Sequence, residues 1–165
     1  MNLDALVRSI PDFPKPGILF RDISPLLASP AALHEVARKL VEPFDLSLVE
    51  AFVGIESRGF ILAALLAGVH SKGFLPLRKA GKLPPPVQAE SYNLEYGEAT
   101  LEIAPGRGRV LVIDDVLATG GTLSAAVNLC EIAGYDVKGC AVLIDLPALN
   151  QFRFKGQMIH SLLSY

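Results

Sequence analysis

Two adjacent carboxylates, Asp114 and Asp115, close an uninterrupted apolar run, Val110-Leu111-Val112-Ile113, and after Val116-Leu117 the chain continues as Ala118-Thr119-Gly120-Gly121-Thr122. An acid pair at the C-terminal end of a buried strand stands where open α/β sheets bind ligands. The small, glycine-rich turn lets an anion approach the main chain, and the first N–H groups of the helix that follows have no partner within that helix. Thr119 and Thr122 add hydroxyl donors. Together these residues read as a monophosphate cradle beside acids suited to vicinal hydroxyls, bound directly or through Mg²⁺. The plainer reading is a strand-to-helix turn with capping threonines and solvated aspartates. The fully apolar strand beneath the acids favours the ligand site.

Other chemistry-bearing residues are less organised. Gly106-Arg107-Gly108 precedes its strand, so it is no dinucleotide fingerprint, and Gly81-Lys82 lacks the flanking residues of a Walker loop. Cys130 and Cys140 form no C-x-x-C pair and read as buried reduced thiols. His34, His70 and His160 are too dispersed to share a metal.

The elements that must position the acid pair follow from periodicity. Ser29-Pro30 opens a helix with a cap and an early proline, and Leu33, Val36, Ala37, Leu40 and Val41 then repeat at helical spacing, leaving His34 on the wet face. Val49 to Gly54 reads as a short buried strand followed by a helix through Ala67, and Phe74 to Leu77 as another strand. Val110 to Ile113 has the pattern of a central parallel strand buried on both faces. Ser124 to Ala133 is helical and stops at Gly134, and Val137 to Ile144 is a further strand. Strands alternating with helices predict an α/β fold, an open, mainly parallel twisted sheet flanked by helices. Strict alternation over Glu98 to Ile103, with Val87 to Asn93 before it, predicts a β-hairpin hood over the sheet's edge. Pro11, Pro14, Pro16, Gly17 and Pro25 make 11–25 an ordered irregular arm.

A chain of 165 residues with 51% apolar side chains furnishes one packed core, so residues 1–165 are expected to form one domain. Its 15 basic and 17 acidic side chains leave a charge of −2, which supplies no general field for nucleic acid or an anionic membrane. Phe60 to Val69 is about half of the roughly 20 apolar residues needed to cross a bilayer, and Asp4 and Arg8 interrupt the place of a signal peptide, so a cytoplasmic protein is expected.

Asp114 to Thr122 resembles the phosphoribosyl pyrophosphate motif of type I phosphoribosyltransferases. Phe13 to Pro25, Glu56-Ser57-Arg58-Gly59-Phe60, and Arg78 to Pro84 running into Ser91 to Gly97 narrow the resemblance to the adenine-specific branch and cover nearly the whole chain in order. The resemblance implies that Ala118, Thr119, Gly120, Gly121 and Thr122 hold the 5′-phosphate and that Asp114 and Asp115 hold the ribose hydroxyls. It also implies that Ser57, Arg58, Arg78, Lys79 and Lys82 meet the pyrophosphate, with Arg78 as the residue a neighbouring subunit could lend. In this fold the peptide before Ser57 is often cis. Leu19, Phe20 and Arg21 would take the base, Phe20 by stacking; without the resemblance, Phe20 reads as core and Arg21 as a partner of Asp22. Glu95 would manage the proton at the base's N7.

The hood and lid would span about 78–104. Unbound, its basic residues should repel one another and leave it mobile until pyrophosphate draws it shut. Ala80, Pro85 and Asn93 depart from residues usual in the family. By the same resemblance the chain is a purine-salvage transferase converting adenine and phosphoribosyl pyrophosphate, with Mg²⁺ carried by the latter, into AMP and pyrophosphate. Arg58, Lys79, Lys82 and Glu95 would be catalytic, and the protein would be a homodimer. The alternatives are a non-catalytic regulator that senses phosphoribosyl pyrophosphate and the same transfer to xanthine or orotate. A regulator would usually carry a DNA-binding domain, for which the chain shows no basic helix.

Overall fold

The computed structural model describes residues 1–94 and 97–165. The arm is a two-stranded antiparallel hairpin, β1 (Arg8–Pro11) with β2 (Leu19–Asp22), in which Ser9 faces Arg21 and Ile10 faces Phe20. It is therefore more regular than its prolines suggest. Pro11 is the last residue of β1 and Pro14 and Pro16 lie in the connection, so no proline falls in the interior of either strand. A short helix, α1 (Ser24–Leu27), leads to α2 (Pro30–Lys39), where the Ser29 hydroxyl accepts from Ala32 N–H and caps the helix as its sequence predicts.

The sheet then assembles from β3 (Ala51–Ile55), α3 (Arg58–His70), β4 (Gly73–Lys79), β5 (Gln88–Leu94), β6 (Gly97–Ile103), β7 (Gly108–Leu117), α4 (Gly121–Ile132), β8 (Tyr135–Asp145) and β9 (His160–Ser164). Its seven strands run in the order β5-β6-β4-β3-β7-β8-β9. The five from β4 to β9 are parallel. From β3 the chain goes to one side for β4 and later to the other for β7, so the strand order reverses between β3 and β7. That reversal leaves a crevice at their C-terminal ends, the place where open α/β sheets bind ligands.

Alternate residues of β7 feed two cores. Leu111 and Ile113 pack with Phe52, Leu62 and Leu66 beneath α2 and α3. Val110 and Val112 pack with Ile55, Leu123 and Leu129 beneath α4. Burial on both faces is what the apolar run predicts.

One expectation is borne out, one is corrected, and one strand was not foreseen. The hairpin of β5 and β6 forms at the sheet's edge as expected, and β5 reaches over α4, where Glu90 accepts from Asn128 and the Tyr92 hydroxyl meets that of Thr122. The hairpin extends the sheet, with Arg78 facing Glu102 and Lys79 facing Leu101, and so covers main-chain groups on β4 that would otherwise form a bare edge. The acid pair does not close β7, which continues to Leu117 because Val116 and Leu117 pair with Ile144 and Asp145 of β8. Finally, β9 lacks a strong sequence signal, since its apolar residues are only Leu162 and Leu163, flanked by His160, Ser161 and Ser164.

Helix α3 seats closely on the crevice because Gly54 and Gly59 lack side chains. A Cβ at Gly54 would stand 2.9 Å from Ala63 Cβ, from the Gly59 carbonyl oxygen and from the Phe74 ring. Gly54→Ala should destabilise the fold by about 1 to 3 kcal/mol, read as a lowered urea midpoint. An unchanged midpoint would show that α3 is not held this tightly.

Candidate active site

Successive strand residues point to opposite faces, and the two acids in the last part of β7, before Val116 and Leu117, accordingly line different cavities. Asp114 lines a small one, about 80 Å³, with Leu117, Gly120, Thr122 and Val142. Asp115 lines a larger one, about 700 Å³, with Leu19, Phe20, Arg21, Arg58 and Tyr165. Val116, Ala118 and Thr119 border both, so the cavities meet at the turn after β7.

The small cavity is bounded by the glycine-rich turn. Gly120 precedes α4 with φ +91°, and no side chain among the described residues caps this helix. The first α-helical hydrogen bond is Ser124 N–H to the Gly120 carbonyl, so the N–H groups before it are available to an anion. The Thr122 hydroxyl lies 3.2 Å from the Tyr92 hydroxyl. The reading of this turn as a threonine-capped helix start is therefore not what forms. Asp114 Oδ1 accepts from Asp115 N–H at 2.9 Å, and a Cβ at Gly59 would lie 2.9 Å from that same oxygen. Burial, reinforced by the charge of Asp115, pushes the Asp114 carboxyl well above the usual carboxylate range.

In the larger cavity, Asp115 is 6% exposed and its Oδ2 lies 2.7 Å from Arg58 Nε. The contact is an ion pair without hydrogen-bond alignment, and Oδ2 has no hydrogen-bond partner among the described residues. Arg58 also sits 4.9 Å over the Phe20 ring. Phe20 meets Phe13 edge-on at 5.1 Å and is only half-buried, which corrects its plain reading as core. Arg21 does not pair with Asp22. Its guanidinium lies 3.8 Å over the Tyr165 ring and donates to the Ser9 hydroxyl. Asp22 instead takes Arg8 and the Ser24 hydroxyl and main-chain N–H, and these hydrogen bonds, Ser24 first, hold its carboxyl at about 2.

The basic residues after β3 and β4 are not brought onto one anion seat. Ser57 is exposed and precedes α3, and the Glu56–Ser57 peptide is cis. Arg58 reaches Asp115, whereas Lys82 Nζ binds Glu56 Oε1 and Arg78 Nε lies 3.5 Å from Glu56 Oε2. Lys79 donates to Glu56 through its main-chain N–H at 2.9 Å, while its side chain is exposed. The expected repulsion among these cations is offset in part, because Glu56 pairs with Arg78 and Lys82, and Glu102 accepts from three amides of the turn. Sequence reasoning missed Glu56, Glu102 and Tyr165. Glu95, the expected proton-handling residue, lies outside the described residues.

Glu56 is held at about 2 from an ordinary 4.5, chiefly by the Lys82 hydrogen bond. A depressed folded-state value means that the pair contributes fully above about pH 4.5 and that its contribution is lost as pH falls towards 2. Glu56→Gln should therefore be less stable than the parent near pH 6, with the gap narrowing on acidification to about pH 2.5, as read by urea denaturation at each pH. A gap constant with pH would exclude the charged pair.

A phosphoribosyl transferase domain model matches residues 22–155. The adenine phosphoribosyltransferase of Bdellovibrio bacteriovorus is 58% identical over 165 residues, 100% of each chain. That of Methylococcus capsulatus is 52% identical over 169 residues, 99% of each. Among solved structures, adenine phosphoribosyltransferase from Rhodothermus marinus superposes with a TM-score of 0.87 at 46% identity, covering 99% of this chain and 96% of its own. The Giardia lamblia enzyme complexed with 9-deazaadenine gives 0.88 at 39%, with the same coverage. With a family model over most of its length, relatives at this identity over their full length and solved structures that superpose closely, the chain belongs to the type I phosphoribosyltransferase family, on its adenine phosphoribosyltransferase branch.

Proposed function

We propose that the protein transfers the 5-phosphoribosyl group of phosphoribosyl pyrophosphate to adenine, releasing AMP and pyrophosphate, a purine-salvage reaction. The observation that carries this reading is the junction of the two cavities at 116–119, a small anion seat beside a larger cleft with an aromatic wall. A nucleotide has this division, with a phosphate at one end and a flat base at the other.

In the proposed complex, main-chain N–H groups of 118–122 hold the 5′-phosphate, and the hydroxyls of Thr119 and Thr122 support them. Asp115 takes ribose hydroxyls from the cleft side. Asp114 takes them from the side of the glycine-rich turn. Phe20 supplies the base's stacking face, and the main chain of Leu19 to Arg21 supplies its edge contacts. As the C1′–oxygen bond to pyrophosphate breaks, positive charge grows on the ribose and negative charge on the leaving group. Lys79, Lys82 and Arg78, with Ser57, stabilise that negative charge. Arg58 joins them by exchanging Asp115 for the leaving group, which frees Asp115 for the sugar. N9 of adenine then bonds to C1′ and a base proton is lost, with Glu95 the proposed proton handler at N7.

Mg²⁺ enters as part of the sugar-pyrophosphate substrate and neutralises charge on it. Among the described residues no three His, Cys, Asp or Glu side chains converge to hold a metal. The buried Asp115 Oδ2, without a hydrogen bond, fits a single outer contact to such an ion. One domain spanning 1–165 and a homodimer complete the proposal. Helix α3 exposes Ile61 and Val69 and β4 exposes Phe74, apolar side chains that a second copy could cover. No helix among the described residues is long and apolar enough to cross a membrane. Cys130 and Cys140 are free and buried, with thiols pushed up to about 12 by burial, which suits a reducing cytoplasm.

Incubation with phosphoribosyl pyrophosphate, Mg²⁺ and adenine, hypoxanthine, guanine, xanthine or orotate separately should yield nucleotide with adenine, resolved by chromatography. Product from another base alone would reassign the specificity, and tight sugar-phosphate binding with no nucleotide would make the protein a sensor. Replacing both acids, Asp114→Asn with Asp115→Asn, should abolish turnover while the circular dichroism spectrum stays that of the parent. Retained activity would remove the ribose role.

A further inference from the structure

Glu102 is a charged side chain in an otherwise apolar stretch of β6. Leu101, Glu102 and Ile103 are all buried, and Glu102 is only 4% exposed. A carboxylate at this depth persists only where its oxygens are bonded. Here Oε2 accepts from Gly81 N–H at 3.1 Å, and Oε1 accepts from Lys82 and Leu83 N–H at 2.8 and 2.7 Å. Three consecutive amides converging on one acid form the kind of main-chain concavity that elsewhere binds free anions; in this chain its occupant is internal. Gly81, at φ +85°, gives the turn the shape this requires.

The same turn carries the basic residues of the leaving-group site. Arg78 and Lys79 lie opposite Glu102 and Leu101 in the β4–β6 ladder, Ala80 N–H bonds the Thr100 carbonyl at 3.0 Å, and Lys82 follows within the amide cluster. Its ammonium group reaches Glu56 on the neighbouring loop. Glu102 thus holds the main chain, and Glu56 holds the side chains. A glycine-containing turn without such an anchor would have to be ordered each time a ligand bound, and that ordering would be subtracted from affinity.

We infer that Glu102 is a positioning residue of the transfer reaction: its carboxylate fixes the 80–83 turn so that Lys79 and Lys82 are presented to pyrophosphate. The inference rests on the reading of these lysines as leaving-group ligands. It assigns Glu102 no contact with substrate.

Glu102→Gln keeps the side chain's shape and one acceptor oxygen but removes the charge and sets its NH2 group against the main-chain N–H that the other oxygen had taken. It should weaken pyrophosphate binding about tenfold, measured by titration calorimetry with Mg²⁺, and raise KM for phosphoribosyl pyrophosphate by a similar factor. KM for adenine should stay within about twofold, a split that general loosening would not produce. In a Lys82→Met background the same change should add little, because the two residues act through one turn. Gly81→Ala tests the turn with Glu102 intact. A Cβ there meets nothing within 4 Å, so only the left-handed backbone is disfavoured, and the same selective loss of pyrophosphate affinity should follow. Parent-like pyrophosphate affinity in Glu102→Gln, equal losses for both substrates, or full additivity with Lys82→Met would overturn the inference. Should Glu102→Gln fail to fold, parent-like affinity in Gly81→Ala would overturn it instead. Lys82→Met without effect would overturn the leaving-group role and this inference together. The calorimetric arm needs no turnover, so it is decided separately from whether the parent forms AMP.

Discussion

A strand buried on both faces can carry two adjacent carboxylates only where each finds something to offset its loss of water. That constraint organises the crevice. On one face of β7, Arg58 comes within ion-pair distance of Asp115 and rests over Phe20. On the other, Asp114 has a main-chain amide and the space left by a glycine, and its carboxyl rises because burial and its neighbour both oppose ionisation. Sheet alternation then decides the division of labour, placing one acid towards the anion turn and the other towards the arm. The same apolar residues that bury the strand hold both acids rigidly against the backbone, and rigidity of this kind is what a site for a charge-separated reaction requires.

The cationic side of the site follows a related logic. Arg78, Lys79 and Lys82 lie within five residues, a density that would be repulsive if nothing opposed it. Two acids oppose it in different ways, one at the side chains and one at the amides. The basic turn is thereby held in shape by the chain's own acids.

Much of this architecture was legible beforehand because it depends on local signals. The β7 run, the capped start of α2, the glycine after α4 and the alternating hairpin each depend on side-chain periodicity or on a residue with restricted dihedrals, and each forms in place. The glycine-rich turn between β7 and α4 was legible for the same reason. Illegible features depend on tertiary partners. Glu56 and Glu102 read as ordinary polar residues of a loop and an alternating strand, since nothing local shows that cations and amides from a distant turn will surround them. Arg58 looked like a companion of Lys82, but side-chain direction at the start of α3 depends on which acid is nearest. The strand β9 is weak by composition and forms because β8 offers it a parallel edge.

Tyr165 bears on how the molecule comes together. Its hydroxyl donates to Asp4, its main-chain N–H bonds Asp145, and its ring supports Arg21 in the arm. One wall of the large cleft therefore joins segments at opposite extremes of the chain, so loop-closure entropy must be overcome before that wall exists. Disturbing either the arm or the segment after β9 would therefore open the same wall, because a single phenol ring is shared between them.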